Sequence, residues 1–478
     1  MEHYRASYYN LRVDDGARLL LFNGVTGALL ALPPQLAKAI EPFLGPTRTR
    51  SAGEGYQSWR PPAFRAEDLP ALLQKRLSSL LESGIFVRAD GDERALLAAG
   101  YRTDRARAPF FVTMTTTLDC NMRCYYCYQK DGALEYMSRE TCDTAIAWTQ
   151  EQIIEKGYPT LHVDWYGGEP MLNQAVIAQY TEAMTRFCDE RGVSYRASML
   201  CNGTAWPDDT TGFVRANRLR HIQFSLDGPK RHHNKRRGLV DSDTGHGRAG
   251  SYDEVMQTIG SLIGSVRIYL RINVDPWIGR DCLEVIDTCA ELGWLAGDTN
   301  FYPYVAIINA MTEHCGFIAK AERFEKFNVE YEEIQREFYA RLGRHRGPSA
   351  LEMVQYYPNR VTLNCAAVSN NSVVFGPNGL MYKCGLDVGD HHRAHGALRD
   401  EVPTLPAEVS PLAADRWDRY DPFTHERCSE CQYLPVCMGG CPKAQIEKNS
   451  AQVRLQSAFW ENNFDNIIRE YYRASGHA

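Results

Sequence analysis

The feature that most limits this fold is an alternation. Between residues 109 and 307, six apolar, β-branched or aromatic runs occur, at 110–117, 160–166, 196–202, 220–226, 266–274 and 299–307. Helix-length amphipathic segments separate several of them, for example 138–155 and 171–190. Strands that alternate with helices build βαβ units on a parallel sheet. Six units fall short of a closed eight-strand barrel. The predicted class is therefore α/β, with a partial (β/α)6 TIM barrel over residues 109–318. Parallel α/β folds place their chemistry at the carboxyl ends of the strands.

The flanks read differently. At 478 residues the chain is too long for one ordinary domain. Residues 1–95 are predicted to form a small α+β unit. Leu19-Leu20-Leu21-Phe22 reads as a strand, Asn23-Gly24 as a hairpin turn, and Val25 to Leu32 as the returning strand. Pro33-Pro34 opens a helix to about Leu44, and 45–66 reads as a loop. Leu69, Leu72, Leu73, Leu77, Leu80 and Leu81 recur at helical spacing. Gly84 stops that helix and Ile85-Phe86-Val87 closes the unit as a strand. Residues 96–108 read as a charged connector, and 319–359 as a helical connector with its helix at about 319–343. Residues 360–478 have poor periodicity and dense cysteine, glycine and proline, which predicts metal staples.

Composition removes some classes. No run reaches the roughly 18 to 20 apolar residues of a membrane helix. The start, Met1-Glu2-His3-Tyr4-Arg5, lacks the apolar stretch of a secretory signal. A cytoplasmic protein with no membrane partner is predicted. Net charge is −6, from 53 Lys and Arg against 59 Asp and Glu, which points away from nucleic acid.

The chain has 15 cysteines, unusual in a reducing compartment where disulfides are rare. Cys142, Cys188, Cys201, Cys282, Cys289 and Cys315 stand singly and read as small buried hydrophobes. Cys120, Cys124 and Cys127 directly follow the first run, spaced C-x3-C-x2-C. Three thiolates at that spacing grip three corners of a [4Fe–4S] cube and leave one iron open. The alternative is zinc with a remote fourth ligand. After the second run comes Trp165-Tyr166-Gly167-Gly168-Glu169-Pro170. Its glycines permit close approach of a ligand to the backbone, and Glu169 offers a carboxylate to a ligand ammonium. Cys365, Cys384, Cys428, Cys431, Cys437 and Cys441 form a second field, whose pairs suit zinc or iron–sulfur.

The C-x3-C-x2-C set followed by Gly-Gly-Glu-Pro resembles the radical S-adenosylmethionine (radical SAM) enzymes. The resemblance covers roughly 109–310 in the barrel and 360–441 in the second field. It implies that Cys120, Cys124 and Cys127 hold the catalytic cluster. Contacts to S-adenosyl-L-methionine are implied for Tyr126, Gly167, Gly168, Glu169, Pro170, Asn202, Ser225, Asp227, Arg237, Arg271 and Asn273. Cys201-Asn202-Gly203-Thr204 resembles a Thr-Asn-Gly-Thr turn of the family, with cysteine for the first threonine. Arg236 reads as a solvated surface charge. His232, His233, His391 and His392 read as surface polar residues.

The second field resembles the SPASM extension, which carries one or two auxiliary [4Fe–4S] clusters. Thirteen residues separate Cys365 from Gly379, as that pattern allows, but a seventh cysteine after Cys441 is missing. The resemblance assigns Cys365, Cys384 and Cys441 to a nearer cluster, and Cys428, Cys431 and Cys437 to a farther one. Each set is then one ligand short: either a carboxylate such as Glu461 completes the farther cluster, or one cluster keeps an open iron that could bind substrate. Residues 1–95 resemble the winged-helix-like element that binds the leader of a ribosomally made peptide as an added strand. These resemblances imply a peptide maturase that forms a thioether, C–C or C–O crosslink. Its partners would be a precursor peptide and a flavodoxin or ferredoxin reductant. A rival is an enzyme like the formylglycine-generating sulfatase maturases, which carry Asp just after the second SPASM cysteine. Here Gly385 stands there, and Asp387 is two residues further on. A rival of another class is a non-catalytic iron–sulfur or zinc peptide-binding protein.

Overall fold

The computed structural model describes residues 2–45, 61–129, 134–240, 250–297, 299–308, 322–346, 357–398 and 416–474. Contacts divide the chain into two compact units. One joins Met1–Arg107, Leu351–Ser369 and Tyr420–Ala478; the other joins Ala108–Ala350 and Asn370–Arg419. The units therefore do not follow four consecutive segments, and the stretch 360–478 is shared between them.

In the first unit β1 (Tyr4–Ala6), β2 (Asn10–Asp14), β3 (Leu19–Asn23), β4 (Leu29–Leu32) and β5 (Phe86–Arg88) form two antiparallel arrangements, β2-β3-β4 and β1-β5. The unbroken apolar run of β3 has a physical reason, because both sheet faces are covered. Leu21 packs with Leu32, Ile40, Leu73, Leu80 and Phe86. Leu20 and Phe22 point the other way, into a core with Tyr433, Val436, Phe464 and Ile468. The turn after β3 is wider than the predicted Asn23-Gly24 pair. Phe22 pairs with Leu29, and the left-handed residue is Gly27, at φ 74°. The buried Asn23 amide organises this loop: Oδ1 accepts from the Val25 and Thr26 N–H, and Nδ2 donates to the Gly84 carbonyl.

Two further expectations are corrected here. The charged connector lies within a helix, Glu93–Arg107. Leu97, Ala98, Tyr101 and Arg105 form its buried face, which the surrounding charges obscure. Arg105 ties it down, donating to the carbonyls of Val368 (2.7 Å) and Tyr420 (2.8 Å). The poorly periodic end of the chain contains a 25-residue helix, Ser450–Ala474. Its buried Phe464, Ile467, Ile468 and Tyr472 do recur at helical spacing.

The second unit carries the alternation. Strands β6 (Phe110–Thr115), β7 (Thr160–Tyr166), β8 (Ser194–Cys201), β9 (Leu219–Leu226), β10 (Arg267–Val274) and β11 (Phe301–Ile307) pair in parallel, each with the next. This is the expected parallel α/β sheet. A seventh parallel strand, β12 (Ser372–Phe375), lies beside β6, and β13 (Leu380–Tyr382) and β14 (Gly396–Ala397) extend the edge in antiparallel fashion. This pairing is why part of the cysteine-rich stretch belongs to the second unit. Helices Arg139–Lys156 and Gln174–Arg191 fall close to the predicted spans. Ser138 caps the first, its Oγ accepting from the Thr141 N–H. Helix Glu322–Arg346 lies where the connector helix was predicted, and the start of that prediction falls outside the described residues. Among the described residues no helix is long and apolar enough to cross a membrane.

Candidate active site at the carboxyl edge of the sheet

The segment after β6 forms a loop, within which the Cys127 N–H donates to the Cys124 carbonyl (3.1 Å). Cys120, Cys124 and Cys127 border one cavity with Asp119, Gln129 and Gly168. Asp119 organises the loop: Oδ1 accepts from the Cys120 N–H (2.8 Å) and Oδ2 from the Tyr136 hydroxyl (2.7 Å). The two glycines after β7 are needed because the loop lies against them. A Cβ at Gly167 would collide with the Thr117 carbonyl oxygen, and one at Gly168 with that of Asp119. The Gly168 and Glu169 N–H groups donate to those two carbonyls, at 2.9 and 2.8 Å. The close approach read from Gly-Gly is thus one of the chain to itself.

Glu169 is fully buried. Its carboxylate accepts from the Met171 N–H (3.0 Å) and the Asn202 N–H (2.6 Å). Burial pushes its carboxyl up to about 7, against the pull of those N–H groups. Pro170 begins a short 3-10 turn, and its carbonyl accepts from Thr116 Oγ1. Asn202 clamps the cysteine loop, with Nδ2 donating to Asn121 Oδ1 (2.8 Å) and lying 3.8 Å from Cys120 Sγ. Burial pushes the Cys120 thiol up to about 12 and Cys124 to about 11. Among the described residues no three His, Cys, Asp or Glu side chains group tightly enough for a single metal ion. Three soft sulfurs around a shared cavity suit the wider span of an iron–sulfur cube.

Beside the loop, at the ends of β9 and β10, is a buried polar network. The Tyr126 hydroxyl donates to Asp227 Oδ1 (2.7 Å) and accepts from Arg237 Nη1 (2.7 Å) and Asn273 Nδ2 (3.0 Å). Four of the residues expected at the cosubstrate site therefore meet in one place. Ser225 and Arg271 sit side by side across the β9–β10 register, and Arg271 Nε donates to Asn273 Oδ1 (2.8 Å). Arg236 is not a surface charge. Its side chain is 9% exposed and pairs with Asp227 (3.1 Å) and Asp275 (2.7 Å). His233 is also buried: Nδ1 accepts from the Asp227 N–H and Nε2 faces Ser251 Oγ at 2.9 Å. Burial, aided by Arg237, pushes its pKa down to about 3. His391 and His392 lie in an accessible turn, as expected of surface residues. Cys142, Cys188, Cys201, Cys282 and Cys289 are buried, and Cys315 lies outside the described residues.

Sequence reasoning missed two groups. Asp275 carries no motif. One face of the parallel sheet carries His162, Asp164, Ser198 and His221, the alternate positions to apolar Leu161, Val163 and Trp165. Asp164 accepts from Ser198 Oγ and lies 3.3 Å from His162 Nε2. The alternation itself is the only signal that could have found them.

The second cysteine field divides. Cys384 belongs to the second unit; the other five belong to the first unit. In that unit burial pushes the Cys437 and Cys365 thiols up, and thiolates nearby, Cys431 and Cys428 for the first and Cys441 for the second, push the same way. Glu461 acts on Cys431. Gly385, after Cys384, lies under a ring: its Cβ would be 3.0 Å from Tyr166 Cε1. Asp387 is buried, 3.7 Å from Arg393.

Residues 114–276 match the family model of the radical SAM superfamily. No curated protein matches the chain. Among solved structures, anSMEcpe with bound AdoMet and Cp18Cys peptide is 16% identical, covers 76% of this chain and 99% of its own, and has a TM-score of 0.55. Streptococcus suis SuiB bound to precursor peptide SuiA is 14% identical, covering 94% and 98%, at a TM-score of 0.42. The first of these is a likeness of fold.

Proposed function

We propose that this chain is a radical SAM enzyme that oxidises a ribosomally made peptide. The observation that carries the reading is three thiols, Cys120, Cys124 and Cys127, lining one cavity after β6, within the segment that matches the superfamily. Cys120, Cys124 and Cys127 would hold a [4Fe–4S] cluster, which would supply reductive cleavage of S-adenosylmethionine to a 5′-deoxyadenosyl radical able to take a hydrogen atom from the peptide. The chain's own residues place and shield. Asp119, Gly168 and Asn202 fix the cysteine loop. Tyr126, Asp227, Arg237 and Asn273, with Ser225 and Arg271 beside them, offer the polar surface for the cosubstrate. Glu169 would offer its buried carboxylate to the ammonium of the cosubstrate.

Auxiliary clusters would take the surplus electron as the peptide radical closes a crosslink. Cys428, Cys431 and Cys437 would hold one with Glu461 as fourth ligand, and Cys365, Cys384 and Cys441 are further auxiliary ligands. The edge strand β4 would receive the peptide leader by added-strand pairing. A flavodoxin or ferredoxin would deliver the electron that starts each turnover. The fold likeness to anSMEcpe, crystallised with AdoMet and a peptide, supports the same reading.

The test is anaerobic reconstitution with iron and sulfide. About 12 iron per chain is expected, by the four-iron stoichiometry of three cubes, with 5′-deoxyadenosine formed from S-adenosylmethionine under reduction. The Cys120→Ala/Cys124→Ala/Cys127→Ala variant should lose about 4 iron and all 5′-deoxyadenosine. Retained cleavage in that variant would overturn the radical mechanism.

A further inference from the structure

Asp275, Arg236, Asp227 and Arg237 form a row of alternating charge. The spacing lengthens along it: 2.7 Å from Asp275 to Arg236, 3.1 Å from Arg236 to Asp227, and 3.7 Å from Asp227 to Arg237. All four side chains are at most 9% exposed. Arg236 is therefore the main counter-charge of Asp227, and Arg237 is held least. Arg237 donates to the Tyr126 hydroxyl, but its buried Nε has no hydrogen-bond partner among the described residues. A buried guanidinium with an unused N–H suits an incoming anion, and a carboxylate matches it in a fork.

Arg236 is itself locked. Its Nη2 donates to the Tyr125 hydroxyl (3.0 Å), that hydroxyl donates to Asp275, and the guanidinium lies 4.8 Å from the Tyr125 ring centroid. Asp275 is fixed in turn by the Trp277 and Ile278 N–H groups. Because Tyr125 stands between Cys124 and Tyr126, the row is tied to the cysteine loop. Were Arg236 absent, Asp227 would lack its closer cation and would draw Arg237 onto itself, in competition with any ligand carboxylate.

We propose that Arg236 is a positioning residue: by occupying Asp227 it keeps Arg237 available for the carboxylate of S-adenosylmethionine. This rests on the function proposed above. The test compares two ligands, S-adenosylmethionine and its decarboxylated analogue, by equilibrium dialysis against anaerobically reconstituted full-length protein. Arg236→Met should weaken S-adenosylmethionine at least tenfold and the analogue less than threefold. Arg236→Lys should restore binding to within about threefold of the parent. Arg236→Met/Asp275→Asn removes one charge of each sign, so it provides the same comparison if the single variant does not fold. Equal weakening of both ligands would mean a merely structural role and would overturn the proposal, as would unchanged binding of both. Failure of the parent protein to bind S-adenosylmethionine would overturn the function itself, and this proposal with it.

Discussion

His233 illustrates how one residue carries a pH dependence. Its folded pKa, about 3, lies far below the ordinary histidine value because the ring is buried and Arg237 is near. A group whose folded pKa is depressed below its unfolded value binds its proton mainly in the unfolded chain. Here that is a histidine, so its neutral form favours the fold above about pH 6.5, and stability falls as pH drops from there toward 3. Between pH 7 and 5 this amounts to about 2 kcal/mol. His233→Gln should flatten urea-melt stability over that range by about this amount; an unaltered pH slope would contradict the burial argument. Gly168 is the second such position. Gly168→Ala sets a methyl against the Asp119 carbonyl, so a loss of about 1–3 kcal/mol and a lower iron content per chain are expected. The sequence placed both glycines at the site, though for a ligand's backbone approach when the neighbour is the chain's own loop. Of two consecutive arginines it put only Arg237 at the site and read Arg236 as a solvated surface charge. Both are buried, since Arg236 is the last residue of helix Lys230–Arg236 and Arg237 follows it outside helical geometry.

At the scale of elements, local patterns gave the six parallel strands to within a few residues, because apolar runs and helix-length spacers need no distant partner to be read. What failed depended on distant partners. Helix Glu93–Arg107 hid because its buried face includes Arg105, whose value lies in two carbonyls more than 260 residues away in sequence. Arg105→Ala would leave both carbonyls without their charged donor. A loss of about 3 kcal/mol is expected from two such bonds, measured by urea unfolding; less than about 1 kcal/mol would show that solvent replaces them. The same-face quartet His162, Asp164, Ser198 and His221 escaped for a related reason, since polar residues on a parallel sheet run against the usual two-sided apolar burial.

For the whole molecule, the sheet β2-β3-β4 is the decisive feature. One face packs on helices from its own stretch of chain, the other on Phe464, Ile468 and Tyr472 of the final helix. Residues 1–95 are therefore no independent module to be cut away. Removal of residues 450–474 should expose Leu11, Val13, Leu20 and Phe22, and amide exchange of β3 should quicken at least tenfold; unchanged protection would show that the second face needs no cover. The same feature sets a timetable for synthesis. β3 leaves the ribosome some 450 residues before the helix that covers it. At about 5–20 residues per second this leaves an apolar face open for roughly 20 to 90 s. Slower synthesis keeps that face open for longer, so the soluble yield should rise with co-expressed chaperone that shelters the nascent chain and should not rise from slowed translation alone.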